Sequence, residues 1–488
     1  MFNIKPLLVS IAITATVGSI FAFDANANNQ NNKNKLPEIG ISGFSVLSLD
    51  KERQIGNAMM RQLRASQPII QDPVLIEYIN HLGNQLIKHA NDVNYPFEFF
   101  LINNNELNAF AFFGGHVGIH SGLLTTADNE SELASVIAHE ISHVTQRHLA
   151  RRLESQSNSQ ALNMAGLVSG ILIALVNPSL GMAALSASLA ASQQASINYT
   201  RSNEKEADRV GIALLANSNF DPQGAPSFFS KMSEKYRYAS TPPAMLLTHP
   251  LPESRITDAR QRAHQYPVRQ LAPSLNFELA KARIQARYQG EAKNNIAYFQ
   301  QQLRKKSYSL KAGAEYGLAL SYFENKEYQE AKNILESLRK EDVNNLFYID
   351  AITDVYLSLK EYESALTMLA NLSLLMPNNQ VISLNYGNAL LSSGNYKQSE
   401  TVLQDFLLLN PGNYIAYDIL TTVYRKQENK GQMHITKAEV FALLGAYKKA
   451  IDELQTSYDF VEGQPLLQKR IKARILQFQE QENKLKRL

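Results

Sequence analysis

Residues 129–152 read NESELASVIAHEISHVTQRHLARR. Asn129, followed three residues later by Glu132, makes a capping box. Apolar and small residues then recur with Ser135, His139 and His143 at helical spacing, so the segment predicts one helix running to about Arg152. In His139-Glu140-Ile141-Ser142-His143 the two histidines are four residues apart, which on a helix places them within about 40° around the axis. Both imidazoles can therefore reach one metal ion. Glu140, beside the first, can hold a metal-activated water and take its proton as that water attacks a peptide carbonyl. Ser135-Val136-Ile137-Ala138 and Val144 bury one side of this helix, where two unpartnered histidines would be costly and a metal would satisfy them. On a continuous helix His148 falls on the opposite side, which makes it a poor ligand.

A catalytic zinc site needs a third protein ligand and leaves a fourth position open. Glu204 is the candidate. It begins a helix over Asn203–Ala216 with Asp208 four residues on, so both carboxylates share one face, and Asp208 can orient a ligating histidine through its other nitrogen. The alternative is a solvated acidic turn at a helix start, favoured by the dipole.

Upstream, apolar periodicity predicts helices over Leu49–Ala65 and Pro73–Ala90, the second opened by Asp72-Pro73. Pro96–Ile102 and Leu107–His120 read as strands of a small sheet, broken by Gly114-Gly115. Those glycines permit close backbone approach, and an edge strand here can bind an extended substrate by main-chain hydrogen bonds. His116 and His120, on one face of that strand, read as structural or surface residues.

After about Pro273 the chain becomes helical and repetitive. Tyr328-x-x-Ala331, Tyr362-x-x-Ala365 and Tyr396-x-x-Ser399 recur at intervals of 34, as do Pro377 and Pro411. That is the tetratricopeptide period. Asn325-Lys326-Glu327, Lys360-Glu361 and Gly394-Asn395 supply the turns within helix pairs. Tyr447-x-x-Ala450 looks like another such turn, out of register. About four repeats with irregular pairs at both ends are expected, leaving a concave surface for protein or peptide.

At the other end Lys5, the apolar run Pro6–Phe23 and Ala25-Asn26-Ala27 form an export signal cut after Ala27; an uncleaved anchor is the alternative. Residues 28–35, NNQNNKNK, are too polar to bury. The Ala/Gly/Ser/Leu-rich stretch 161–191 is either a buried helical hairpin or a lid or membrane-surface element that would make peripheral membrane contact; each half is too short to span a bilayer. The expected organisation is a signal peptide (1–27), a lead-in (28–36), an α+β zincin-like metallopeptidase domain (37–272), connecting helices (273–310) and an all-α tetratricopeptide solenoid (311–488).

Composition narrows the function. The chain has 488 residues, a formal net charge of +3 and scattered basic residues, which argues against nucleic-acid binding. It has no cysteine, which excludes disulfides, a thiol nucleophile and the lipid-modified cysteine of a lipoprotein.

His139-Glu140-x-x-His143 with Asn203-Glu204-x-x-x-Asp208 resembles the M48 zinc peptidases, whose third ligand is the glutamate of the second motif. Asn108-Ala109-Phe110-Ala111 with Gly114-Gly115, and His249-Pro250-x-x-x-x-Arg255, also look like that family, and the signal and repeats point to its periplasmic, repeat-bearing members. The resemblance implies one zinc per chain and a protease and chaperone of the Gram-negative periplasm. It further implies unfolded or misassembled outer-membrane β-barrel proteins as substrates, with the repeats contacting the barrel-assembly machinery. A holdase or assembly scaffold with secondary proteolysis is the alternative. In that frame Arg255 either stabilises the developing oxyanion or braces the ligand helix, and His249 either steadies the intermediate or competes for the open zinc position.

Overall fold

A computed structural model describes residues 47–157, 201–238 and 244–487. The expected signal peptide, the polar lead-in and the 161–191 stretch lie outside the described residues.

Helices α1 (Leu49–Ser66) and α2 (Pro73–Ile87) form where periodicity placed them. Asp72 caps α2 by accepting from the amides of Val74 and Leu75 at 3.2 and 3.3 Å, with Pro73 in the first turn where its missing N–H costs nothing. Three strands follow, β1 (Glu98–Ile102), β2 (Ala109–Phe112) and β3 (His116–His120), in the order β1-β3-β2. β1 runs parallel to β3, and β2 antiparallel to it with Ala111 opposite Val117. The expectation that Gly114 and Gly115 lie in a substrate-binding strand is corrected. They make the β2–β3 turn with φ of 79° and 84°, a region open to glycine, and a Cβ on Gly115 would sit 2.7 Å from the Pro96 carbonyl oxygen. β3 is central and β2 is an edge. The far edge, on β1, is closed: the Asn80 side chain accepts from Phe99 N at 3.1 Å and donates to its carbonyl at 2.9 Å, and Ile70 N donates to Leu101 O at 2.9 Å.

α3 (Ser121–Thr126) leads to α4 (Glu130–Thr145), which carries the histidine pair. Asn129 accepts from Glu132 N at 3.1 Å, as expected of its cap, while Glu132 reaches back one residue further to Asp128 N at 2.8 Å. The helix does not continue to Arg152. Gln146 ends it, Arg147 adopts φ 53°, and α5 (His148–Ser157) starts in a new direction. Arginine at positive φ is uncommon, and here burial of its side chain holds it: Nε donates to Glu52 Oε1 at 3.0 Å and a terminal nitrogen to Leu47 O at 2.8 Å.

α6 (Arg201–Asn217) lies against α4. The two backbones approach closely at Gly211, where a Cβ would lie 3.2 Å from His139 N. α7 (Gly224–Tyr236), α8 (Ala244–Thr248) and α9 (Glu253–Ala263) complete this half.

Twelve helices follow among the described residues: α10 (Leu275–Tyr288), α11 (Ala292–Lys305), α12 (Lys311–Glu324), α13 (Tyr328–Glu341), α14 (Leu346–Ser358), α15 (Tyr362–Leu375), α16 (Gln380–Ser392), α17 (Tyr396–Leu409), α18 (Tyr414–Lys426), α19 (Lys430–Leu443), α20 (Tyr447–Asp459) and α21 (Pro465–Arg487). They pack as antiparallel pairs into a repeat solenoid. Ala331, Ala365 and Ser399, the small residues of the recurring motif, are fully buried where paired helices meet. The period is written most clearly in the backbone. Lys326, Lys360, Gly394 and Glu428, each 34 residues after the last, take positive φ of 65°, 61°, 85° and 59° at the turn within a pair. Tyr447 follows a turn of the same kind, with Gly445 at φ 73° and Ala450 fully buried, and as expected it stands outside the 34-residue register.

One buried group ties the two halves together. Arg283 on α10 donates to Asp72, the cap of α2, at 2.6 Å, to Tyr316 Oη at 2.8 Å and to Asp350 on α14 at 2.5 Å.

Candidate metal centre

Four side chains from three segments converge beneath the sheet. His139 and His143 project from α4, Glu204 from α6, and His249 from the residue after α8; one potential ligand atom from each lies within 4.8 Å of all the others. His139 Nε2 and His143 Nε2 are 3.0 Å apart. Glu204 offers Oε2 at 3.4 Å from the first and Oε1 at 3.5 Å from the second. Ligand atoms around a tetrahedral ion with bonds of about 2.0–2.1 Å stand roughly 3.3 Å apart, so this triangle fits a metal in size.

Protonation points the same way. His139 Nδ1 lies 3.0 Å from Asp208 Oδ1, an acceptor, so the proton of the neutral ring belongs on Nδ1 and the lone pair on Nε2. His143 Nδ1 lies 2.8 Å from His148 Nδ1, whose Nε2 in turn lies 3.0 Å from Glu206 Oε2. Since that carboxylate accepts, a neutral His148 carries its proton on Nε2 and receives one from His143 Nδ1. Both Nε2 lone pairs then face each other and a carboxylate, an arrangement that a cation relieves. Burial lowers His139's basicity, but hydrogen bonds to Asp208 and Glu204 outweigh it and push its pKa up to about 10. Burial keeps His143 well below the ordinary histidine value. Proton and metal compete for the same nitrogen.

Glu140 is wholly buried, and burial raises its carboxyl above the usual range; His249 Nε2 stands 3.5 Å from its Oε1. The other ring nitrogen of His249, Nδ1, is 3.0 Å from Glu204 Oε1. Arg255, on α9, grips Asp208 through Nε and a terminal nitrogen, both at 2.8 Å, reaches Glu204 Oε2 at 2.8 Å and donates to Pro250 O at 2.7 Å. All three of its nitrogens are engaged by these groups, contacts that suit the brace of the two roles expected for Arg255.

Two fusions of sequence and family now decide the kinship. Residues 75–263 match the model for peptidase family M48, and residues 356–418 match a tetratricopeptide repeat model. A Vibrio cholerae protein is 46% identical over 327 residues, covering 67% of this chain and 68% of its own. The beta-barrel assembly-enhancing proteases of Escherichia coli K12 and Yersinia pestis are each 41% identical, the first covering 72% of both chains and the second 66% of both. The chain belongs to peptidase family M48. As an M48 peptidase it is a metalloprotease with a repeat solenoid behind its catalytic half.

For this M48 peptidase the structure brings His139, Glu140, His143, Glu204, Asp208, His249 and Arg255 into one centre, and leaves Gly114 and Gly115 at the turn beside it. His120 stands apart: burial against Phe110 lowers its pKa to about 4. His116 pairs with Glu98 Oε2 at 3.0 Å and lies 3.2 Å from Asn57 Oδ1. The expectation that His148 points away is overturned, because the helix is interrupted at Arg147 and His148 Nδ1 comes within 2.8 Å of His143 Nδ1. Glu206, which belongs to the acidic turn of the alternative reading, instead pairs with His148 and Arg151. No local signal announces a left-handed arginine there; only its distant partner Glu52 explains it.

Proposed function

We propose that this protein is a zinc endopeptidase of the Gram-negative periplasm acting on unfolded or misassembled outer-membrane β-barrel proteins. The observation that carries the reading is the pair of imidazole Nε2 atoms 3.0 Å apart over the Glu204 carboxylate. Two nitrogens and one carboxylate oxygen suit zinc, with a fourth position left for water or substrate. When bound, zinc supplies a Lewis acid that polarises the scissile carbonyl and acidifies water.

In this reading His139, His143 and Glu204 are the ligands, one zinc per chain. Glu140 holds the attacking water, takes its proton and hands it to the leaving amine. Asp208 fixes the tautomer of His139, and Arg255 fixes Asp208. His249 occupies the open position at rest and swings away when substrate enters; His249→Ala should then raise basal proteolysis, and unchanged or lower activity counts against it.

Client polypeptide docks in extended form along β2, the edge nearest Glu140, through main-chain hydrogen bonds that read little sequence. Residues 37–272 form the catalytic domain, 273–310 connect it, and 311–488 form the repeat domain. The repeats hold clients, which gives chaperone-like activity, and contact the barrel-assembly machinery. This rests on the names of the relatives and on the repeat architecture, and the expected signal over residues 1–27 supports export.

The test is zinc analysis of the purified protein with a chelator-reversible cleavage assay on a loosely folded β-barrel protein. Protein that neither contains nor takes up zinc refutes the reading. A Glu140→Gln variant that keeps zinc, cleaves nothing and yet fully complements a deletion strain would instead favour the holdase.

A further inference from the structure

The two histidines of the centre are held at their outer nitrogens by different means. His139 leans on a carboxylate, Asp208, that Arg255 clamps. His143 leans on a second imidazole. His148 lies fully buried with Nδ1 2.8 Å from His143 Nδ1 and Nε2 3.0 Å from Glu206 Oε2, and Glu206 is steadied by Arg151 at 3.1 Å. His148 and Arg151 belong to α5 and Glu206 to α6, two residues past Glu204. The chain therefore closes a loop: His143 to His148 to Glu206 and back along about half a turn of α6 to the Glu204 carboxylate.

We propose that His148 is a positioning residue for His143, receiving the Nδ1 proton so that the Nε2 lone pair is fixed toward the metal, with Glu206 fixing the tautomer of His148 in turn. The inference rests on the proposed metal function. Its physical basis is directional. Each hydrogen bond runs outward, His143 N–H to His148 Nδ1 and His148 Nε2–H to the Glu206 carboxylate, and this is the only assignment of neutral rings that leaves His143 Nε2 bare. Reversing His148 would aim N–H at His143 Nδ1, moving the proton of His143 onto the ligating nitrogen.

The turn at Arg147 makes this geometry. On an uninterrupted helix His148 would sit about 140° around the axis from His143. Arg147 at φ 53° interrupts the helix, held there by its buried pairing with Glu52, which also receives the Tyr95 hydroxyl. α1 thereby sets the orientation of a histidine on α5, and through it that of one on α4.

The test uses the full-length protein loaded with cobalt(II), whose visible spectrum reports the ligand field directly. His148→Leu keeps apolar bulk and removes the acceptor, whereas His148→Asn places an amide oxygen near the position of Nδ1. We expect His148→Leu to bind cobalt about 10- to 100-fold more weakly, to shift the visible bands, and to lower kcat with KM little changed. His148→Asn should recover most of the affinity and the spectrum. Should the leucine variant fail to fold, Glu206→Ala, at a half-exposed carboxylate, carries the comparison with His148→Asn: it should shift the bands that the asparagine variant preserves. A folded His148→Leu with wild-type cobalt affinity and spectrum overturns the proposal, as does Glu206→Ala at wild-type values if leucine does not fold, or equal impairment of the leucine and asparagine variants. Wild-type protein that takes up no cobalt refutes the metal reading itself, and this inference with it.

Discussion

Replacing Arg255 with methionine keeps the length of the side chain and removes its charge. In the native protein this guanidinium makes two contacts of 2.8 Å to Asp208, one of 2.8 Å to Glu204 and one of 2.7 Å to Pro250 O, and it packs over the Phe229 ring. Both carboxylates are buried, so the substitution removes a counter-charge that water cannot replace and leaves Asp208 with His139 as its remaining partner. Breaking a buried pair in this way costs about 3–5 kcal/mol. Asp208, released from its clamp, also loses its hold on His139 Nδ1, for which metal affinity should fall about 10- to 100-fold. Arg255→Lys retains charge but offers one point of contact in place of a planar fork and should fall between. Because the chain has two parts, a single global unfolding free energy is ill defined, and amide exchange over 201–217 measures the loss where it occurs. Competition with a chelator measures the affinity. An Arg255→Met variant with exchange and metal affinity at wild-type levels, but reduced kcat at constant KM, would refute the brace and restore the oxyanion role.

Glu140→Gln should lower kcat about 10²- to 10⁴-fold while metal content measured by elemental analysis stays unchanged. Arg283→Met strands Asp72 and Asp350 and should cost about 3–5 kcal/mol, read as accelerated exchange in both α2 and α14 together; an effect confined to one helix counts against the cross-link. His120 is buried and its pKa is lowered to about 4 from 6.5, so the unfolded chain binds a proton more readily. Its contribution is present above pH 6.5 and is lost as pH falls toward 4, about 3 kcal/mol in all; His120→Leu should flatten the stability profile in that window, as followed by urea titration.

The candidate metal centre was legible in part because its spacing is local. His139 and His143 share a helical face by count alone, Asn129 caps that helix by residue type, and Glu204 with Asp208 repeats the same four-residue logic on a second helix. What brings the helices together was not legible, since Gly211 is informative only once His139 N is known to lie 3.2 Å from where its Cβ would be. Arg255 was visible as a candidate residue but its contacts were not, for what a guanidinium touches depends on which acceptors the fold brings to it. The repeats show the same division. Their period of 34 came through at Tyr328, Tyr362 and Tyr396, yet the turn at Glu428 keeps the left-handed backbone of Gly394 without its glycine.

Arg147 explains why such cases escape a reading by pattern. A left-handed residue at a helix end is normally announced by glycine or asparagine, whose small or hydrogen-bonding side chains make that conformation cheap. Arginine gains nothing locally from φ 53°; the compensation lies 95 residues away, where Glu52 receives its guanidinium in the interior. The conformation is thus a tertiary property expressed at one backbone position, and everything downstream of it, including the approach of His148 to His143, inherits that non-local origin. A prediction follows from this order of causes. Glu52→Gln, distant in sequence from every proposed ligand, should weaken cobalt binding and shift its visible bands in the same sense as His148→Leu, because losing the carboxylate charge loosens the turn that aims His148. If Glu52→Gln leaves the cobalt spectrum untouched while lowering thermal stability, the Arg147 turn is held by its neighbours and not by that pair.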